Sequence, residues 1–476
     1  MNLKQLIYNA GGLGIELDWI VENAGTTIKQ AALNLLGRKT EIQTIVLAGR
    51  SFWGSAALAA ARQLSGHGWQ ITVILDEQDQ IEDALYRVAY EKQWRIIENL
   101  RFSLHIVRAN QSPLPDLSSY DLMISGLESL ERLAELAPAI PCPLITPGSG
   151  ANDALSSAQT VYVLLEDEVG PVGQTIVADL GLPLETRKGI GPGDLQQFDF
   201  ARPSVARKGD YGKVLVVGGG WGRYAAPWWA GMAALRTGID YADVFVPASA
   251  LLAGQAYLSY LHAFWSPGDY LTESCLSALG TQLEKGYRAV LLGPGISTHA
   301  SVREVLPQIV HMVQDRGLPL ILDADALKIN LLSVCSSQTP VIITPNQTEF
   351  HTLFGLDPQQ TPLTRLTTTV QQLAAEHNLV IVLKGSCDII TDGHQLRLNY
   401  TGNPGMTKGG TGDILSGLLA GFVAQGVASF AGACLSAYMC GAAGDLAFQR
   451  WGHAMTCPDI LNCLPDILMK WLWRHE

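Results

Sequence analysis

No two of the eight cysteines stand three residues apart, so the chain carries neither a zinc-ribbon nor a redox Cys-x-x-Cys pair. Cys142, Cys275, Cys335, Cys387, Cys434, Cys440, Cys457 and Cys463 are scattered over 476 residues. That spread excludes the dense disulfide framework of a small secreted domain and predicts reduced, mostly buried thiols in a cytoplasmic protein. Charge is scarce too, at 16% of residues, and leans acidic, with 32 Lys and Arg against 44 Asp and Glu for a net charge of −12. A general nucleic-acid binder needs basic patches to neutralise phosphates, so no nucleic-acid partner is expected. The first residues, MNLKQLIYNAGGLG, lack the uninterrupted apolar core of a secretory signal. Charge is missing altogether from residues 414–444, a stretch long enough to suggest a membrane span. Gly417, Gly421, Gly426, Gly432 and Gly441 interrupt it, and Gln425-Gly426 stands where a turn would divide it. Two buried helices with close backbone packing are expected there, and no membrane partner.

What is present is apolar residue, at 47%, in a chain long enough for two or three domains. TIVLAG, SAALAAARQL and WQITVIL read as strand, helix and strand, followed by strand candidates LMIS after Asp121 and TVYVLL at Thr160. Residues 181–212 are rich in Gly, Pro and charge without periodicity, the best domain boundary in the chain. Beyond it KVLVVGG, AVLLGPG, LPLILDADAL, PVIITPN and VIVLKG read as strands, with a helix over 225–236 and a two-residue hairpin turn at Asp392-Gly393. Strands alternating with helices predict α/β domains with parallel sheets, whose ligands collect at the carboxyl ends of the strands.

The most specific motif is Asn403-Pro-Gly-Met-Thr-Lys-Gly-Gly-Thr-Gly-Asp413, running straight into an apolar helical stretch. Gly409, Gly410 and Gly412 let backbone N–H groups converge on an anion at a helix N-terminus. Asp413 beside them can take a proton from a hydroxyl that attacks a phosphoryl group. On residue type alone it can equally cap the helix, with the glycines forming a turn. Lys384-Gly385-Ser386 closes another strand, where a nucleotide would meet backbone and side chain. Asn346-Gln-Thr-Glu349 opens a helix, with Asn346 as N-cap and Glu349 a candidate ligand for Mg²⁺. Gly293-Pro-Gly295 and Asp323-Ala-Asp325 occupy two further strand ends.

From Lys208 onward the chain resembles the ADP/ATP-dependent NAD(P)H-hydrate dehydratases, carrying KGDYGKVLVVGG, AALRTG, LGPG, LDADAL, TPNQTEF, LKG and GNPGMTKGGTGD in that family's order. The resemblance implies a ribokinase-like three-layer α/β/α domain over 198–476. In it Asp413 would be the catalytic base, and Lys384, Gly385, Ser386, Gly409, Gly410 and Gly412 would bind ADP or ATP. Ala226, Gly295, Asn346 and Asp413 would line the hydrate site, with Mg²⁺ as cofactor. A hydroxyl on carbon 6 of the reduced nicotinamide is a poor leaving group, and phosphorylation converts it into a good one.

Residues 1–197 resemble the NAD(P)H-hydrate epimerases, through Glu22-Asn-Ala-Gly25, the strand–loop–helix over 44–64 and VADLGLP. This implies a Rossmann-like three-layer α/β/α domain. The resemblance is poor at the site. Where the epimerases carry paired Asn and an Asp after the first strand, residues 49–57 read GRSFWGSAA, with Phe52, Trp53 and Ala56 at those places. Ser125 stands near a second acidic position, and Ile145-Thr-Pro-Gly-Ser149 replaces a third element. The expectation is a degenerate epimerase kept for assembly or stability within a homo-oligomer. Two other readings of the whole stay open: a vitamin-precursor kinase of the same fold, and a nucleotide sensor without turnover.

Overall fold

In a computed structural model the chain forms two compact units, Met1–Arg187 and Lys188–Glu476. It describes residues 2–472 except 38, 40, 77–82, 101–103, 110–114, 149–158, 166–167, 169–173, 197, 199, 201, 253, 255–259, 330 and 336–338. The division falls within the 181–212 stretch that composition marks as the boundary, ahead of the 197/198 limit taken with the family resemblance. Residues just after it belong to the C-terminal unit because the Ile190 N–H donates to Leu398 at 2.8 Å and Asp194 forms an ion pair with Arg397.

The N-terminal unit holds seven strands: β1 (Gln43–Ala48), β2 (Gln70–Leu75), β3 (Leu104–Arg108), β4 (Leu122–Gly126), β5 (Leu144–Pro147), β6 (Thr160–Leu164) and β7 (Gln174–Val177). They run parallel in the order β3-β2-β1-β4-β5-β6-β7. Strand order reverses between β1 and β4, the crevice where open α/β sheets take ligands.

The C-terminal unit holds nine: β8 (Lys213–Val217), β9 (Tyr241–Pro247), β10 (His262–Ser266), β11 (Ala289–Leu292), β12 (Leu320–Leu322), β13 (Val341–Ile343), β14 (Leu379–Leu383), β15 (Asp388–Thr391) and β16 (Leu396–Asn399). Their order is β10-β9-β8-β11-β12-β13-β14-β15-β16, parallel up to β14 and antiparallel beyond. VIVLKG does open a hairpin, β14 pairing antiparallel with β15, but the turn at Asp392-Gly393 joins β15 to β16. That connection spans residues 392–395 because the Asp392 carboxylate accepts from the N–H groups of His394 and Gln395 at 2.9 and 2.6 Å, opening the turn. Parallel pairing brings the loops after β8, β11, β12, β13 and β14 to one sheet edge.

The uncharged stretch forms two helices, Thr411–Ala424 and Ser429–Trp451, split at Gln425-Gly426. Among the described residues no helix is long and apolar enough to cross a membrane. The glycines have a packing reason. A Cβ on Gly417 would run into the Ala230 carbonyl, and one on Gly421 into Thr237, so bare backbone lets this helix lie against helix Ala226–Arg236. All eight thiols are free, and six are buried, where desolvation raises the Cys440 and Cys434 thiols far above their ordinary value.

Candidate functional site

The motif loop enters helix Thr411–Ala424 through Gly410, whose φ of +100° suits glycine. A Cβ at Gly410 would strike the Trp229 ring and lie 2.7 Å from Cys457 Sγ. Gly410→Ala is therefore expected to destabilise the protein by about 1–3 kcal/mol from backbone strain alone, with the steric overlap adding to it. Urea denaturation checks this, and a midpoint equal to the parent's would remove the steric argument.

Among the described residues, the N–H groups of Gly409, Gly410, Gly412 and Asp413 have no hydrogen-bond acceptor. They form an open helix N-terminus ready for an anion. Asp413 stands in the first helical turn, half-buried, so a ligand can still reach it. Burial pushes its carboxyl up to about 7; Asp323, Asp325 and Glu349 push the same way, and Lys384 opposes them. A carboxylate poised near neutrality is a competent general base.

Lys384 follows β14 directly and aims its Nζ at buried Asp323 Oδ1, 3.0 Å away. Thr344 Oγ1 donates to the same oxygen at 2.7 Å. Burial works against the ammonium, but Asp323, Glu349 and Asp413 outweigh it and hold the lysine above its ordinary value. A Cβ on Gly412 would sit 3.2 Å from Lys384 Nζ and 4.0 Å from Asp323 Oδ2, so glycine leaves the cation open to the cradle. Asp323 Oδ2 accepts no hydrogen bond among the described residues.

Gly385 and Ser386 lie beside an open cleft of about 210 Å³. Pro358, Leu363, Leu366 and Ile389 give it an apolar wall, and Gln347, Lys384 and Ser386 a polar rim, which suits a purine base. The Gly385 N–H is already bonded to Asp388 at 2.9 Å, so its contribution is room rather than a donor.

Asn346 does cap helix Gln347–Phe354: its Oδ1 accepts from the Glu349 N–H, and the Glu349 carboxylate accepts from the Asn346 N–H, both at 2.9 Å. Capping consumes the Asn346 oxygen and leaves its exposed amide NH₂ free to donate. Burial raises the Glu349 carboxyl above its ordinary value. Ala226 and Gly295 meet as a second group. A Cβ on Gly295 would be 3.2 Å from Ala226 Cβ and 2.5 Å from the Arg223 carbonyl. Asp323 is the residue that sequence reasoning left without a role. Its place in Asp323-Ala-Asp325 at a strand end was the available signal.

At the N-terminal crevice the helix begins at Phe52, so Phe52, Trp53 and Ala56 belong to its first turns and the loop shrinks to residues 49–51. Phe52 and Trp53 are buried edge-to-face at 5.2 Å. Ser51 caps the helix through Gly54 N–H at 3.0 Å, and its Oγ donates to the Gly126 carbonyl at 3.3 Å. A Cβ on Gly126 would lie 2.7 Å from the Trp53 carbonyl. Ser125 is buried and accepts from the Leu127 N–H at 3.2 Å. Ser149 lies outside the described residues.

The family described as NAD(P)H-hydrate dehydratase matches residues 214–466, and the one described as YjeF-related protein N-terminus matches 18–144. The chain is 29% identical over 98% of its length to a bifunctional NAD(P)H-hydrate repair enzyme of Pyrobaculum aerophilum, covering 97% of that protein. Over 59% of its length it is 34% identical to an ADP-dependent (S)-NAD(P)H-hydrate dehydratase of Cenarchaeum symbiosum, covering 96% of it. An ADP/ATP-dependent NAD(P)H-hydrate dehydratase of Bacillus subtilis, crystallised with ATP and Mg²⁺, matches 60% of the chain and 98% of its own at 25% identity and a TM-score of 0.51.

Proposed function

The chain belongs to the NAD(P)H-hydrate dehydratase family, and on that premise we propose that its C-terminal unit returns (6S)-NAD(P)H hydrate to NAD(P)H using ADP or ATP. The observation that carries the reading is Asp413: a carboxyl raised to about 7 at an open helix N-terminus, beside the Lys384–Asp323 pair. Asp413 takes the proton of the C6 hydroxyl. The freed oxygen attacks the terminal phosphoryl group, and the nucleotide leaves one phosphate shorter. Lys384 and the N–H groups of Gly409, Gly410 and Gly412 face the charge on the transferring group. The ring nitrogen then expels phosphate from C6, and loss of a C5 proton restores the dihydronicotinamide. Ala226, Gly295 and the Asn346 amide line the hydrate, while Gly385 and Ser386 border the base cleft.

Magnesium fits this donor set through oxygen alone. Among the described residues no group of three or more His, Cys, Asp or Glu is arranged to hold a metal. A nucleotide-borne Mg²⁺ needs only one or two carboxylates, and Glu349 and the free oxygen of Asp323 would be the ones to hold it. When bound it would neutralise phosphate charge.

The N-terminal unit has an epimerase-like fold without the activity in this reading, since Phe52 and Trp53, buried in the core, stand where the epimerases carry paired Asn. It serves assembly or stability in a homo-oligomer, and the free thiols suit a cytoplasmic location. The test is recovery of reduced-nicotinamide absorbance from mixed hydrate epimers with Mg²⁺ and either nucleotide. The expected trace stops when the S epimer is consumed, apart from slow spontaneous interconversion. Full fast recovery would restore the epimerase, and no recovery would remove the dehydratase.

A further inference from the structure

Three segments converge on Asp325, beside the Ala226–Gly295 pair. The Arg223 guanidinium NH1 donates to both Asp325 oxygens, at 3.0 and 2.9 Å. Lys328 Nζ donates at 2.8 Å and the Ser297 N–H at 3.1 Å. Asp325 is 3% exposed, so two cations share one buried carboxylate and the group carries a surplus positive charge. Arg223 is 59% exposed, and its Nε and NH2 donate to nothing among the described residues.

The segment is held firmly. The Gly219 N–H donates to the Pro294 carbonyl at 2.9 Å. Ser297 and Ala324, with φ of +78° and +52°, flank the hub in a conformation that side chains rarely adopt. Such strain persists where surrounding structure over-determines it. Trp221, two residues before Arg223, is 61% exposed and stands edge-to-face on Tyr224, with ring centres 6.3 Å apart. An exposed indole two residues from an open guanidinium offers a stacking face and anion donors of the kind that suit a nucleobase and its phosphates.

We propose that Arg223 and Trp221 recognise the adenylate half of the hydrated dinucleotide, Arg223 pairing its phosphates through Nε and NH2 and Trp221 stacking its adenine. This rests on the dehydratase reading and names the part of the substrate that reading leaves unheld. The loop follows β8, whereas the cleft beside Lys384 and Ser386 follows β14, so the two nucleotides of the reaction are read by different strands.

The test uses Trp221→Ala and Arg223→Gln in the full-length protein, with thermal midpoints compared with the parent; Lys328 still neutralises Asp325 in the second. Each variant is expected to raise KM for NAD(P)H hydrate about tenfold or more, the loss falling on KM rather than kcat. KM for ADP or ATP should stay at the parent value. With hydrated reduced nicotinamide mononucleotide, which lacks the adenylate, Trp221→Ala should match the parent. Unchanged hydrate KM in both variants overturns the proposal. So does a rise in KM for the nucleotide instead, or an equal penalty on the mononucleotide. A parent that dehydrates neither hydrate overturns the dehydratase reading itself, a distinct result.

Discussion

Asp413→Asn is expected to lower kcat for nucleotide-dependent dehydration by about 10²–10⁴-fold, the range of a positioned general base. Asparagine keeps the size and the helix position but accepts no proton. The parent's kcat/KM should rise with pH through about 7 and level off above, because the base works only when ionised. The variant's residual rate should lose that inflection. Stability should move the other way. The folded carboxyl is raised from 3.8 to about 7, so below about 4 both folded and unfolded chains hold the proton and nothing differs. Between about 4 and 7 the unfolded carboxyl ionises while the folded one keeps its proton, so stability falls with pH, and above 7 the full cost of ionisation remains. An uncharged amide avoids that cost, so Tm of the variant should equal or exceed the parent's, with the gain growing between about pH 4 and 7. A slow variant with a lowered Tm would mean a structural role, and a fast variant would end Asp413's claim as base.

Lys384→Met is expected to be the most damaging change to stability in the site, because it leaves Asp323, 1% exposed, without its cation. Removing one partner of a buried pair costs about 3–5 kcal/mol. The remaining hydrogen bond from Thr344 favours the lower end. The double variant Lys384→Met with Asp323→Asn separates structure from chemistry. Denaturant unfolding should show most of the lost stability recovered, since no buried charge remains. Turnover should stay low, since no ammonium faces the transferring phosphoryl group. Recovery of turnover with stability would make the pair purely structural, and a single variant as stable as the parent would show that Asp323 does not depend on Lys384.

Much of the architecture was legible along the chain. KVLVVGG, AVLLGPG and PVIITPN announce strands buried on both faces, and all three form. Several strands were not announced. His262–Ser266 is an edge strand with an exposed Trp265, and Gln174–Val177 is short and mostly exposed, so neither shows the continuous apolar run of a central strand. The resemblance places residues 49–57 in the loop after the first strand, and the helical reading begins only at Ser55, whereas the helix begins at Phe52. A Ser51 cap and burial against Tyr86 hold Phe52 in a helix instead.

The sequence by itself determined the glycine-rich loop before Asp413, because its geometry is local: Gly410 needs a positive φ, and Gly412 and Asp413 follow within the same helical turn. It determined the division of the uncharged stretch into two helices for the same reason, since Gln425-Gly426 breaks the chain wherever it is placed. Only the tertiary structure decided the electrostatics. Lys384 and Asp323 are 61 residues apart, and each alone reads as an ordinary strand-end charge. Parallel pairing of β12, β13 and β14 brings them together with Thr344, and only their burial around Asp413 lifts its carboxyl into the range of a working base. The state of a buried charge depends on how much water is removed and which charges replace it, and those are properties of the packed sheet edge rather than of any stretch of chain.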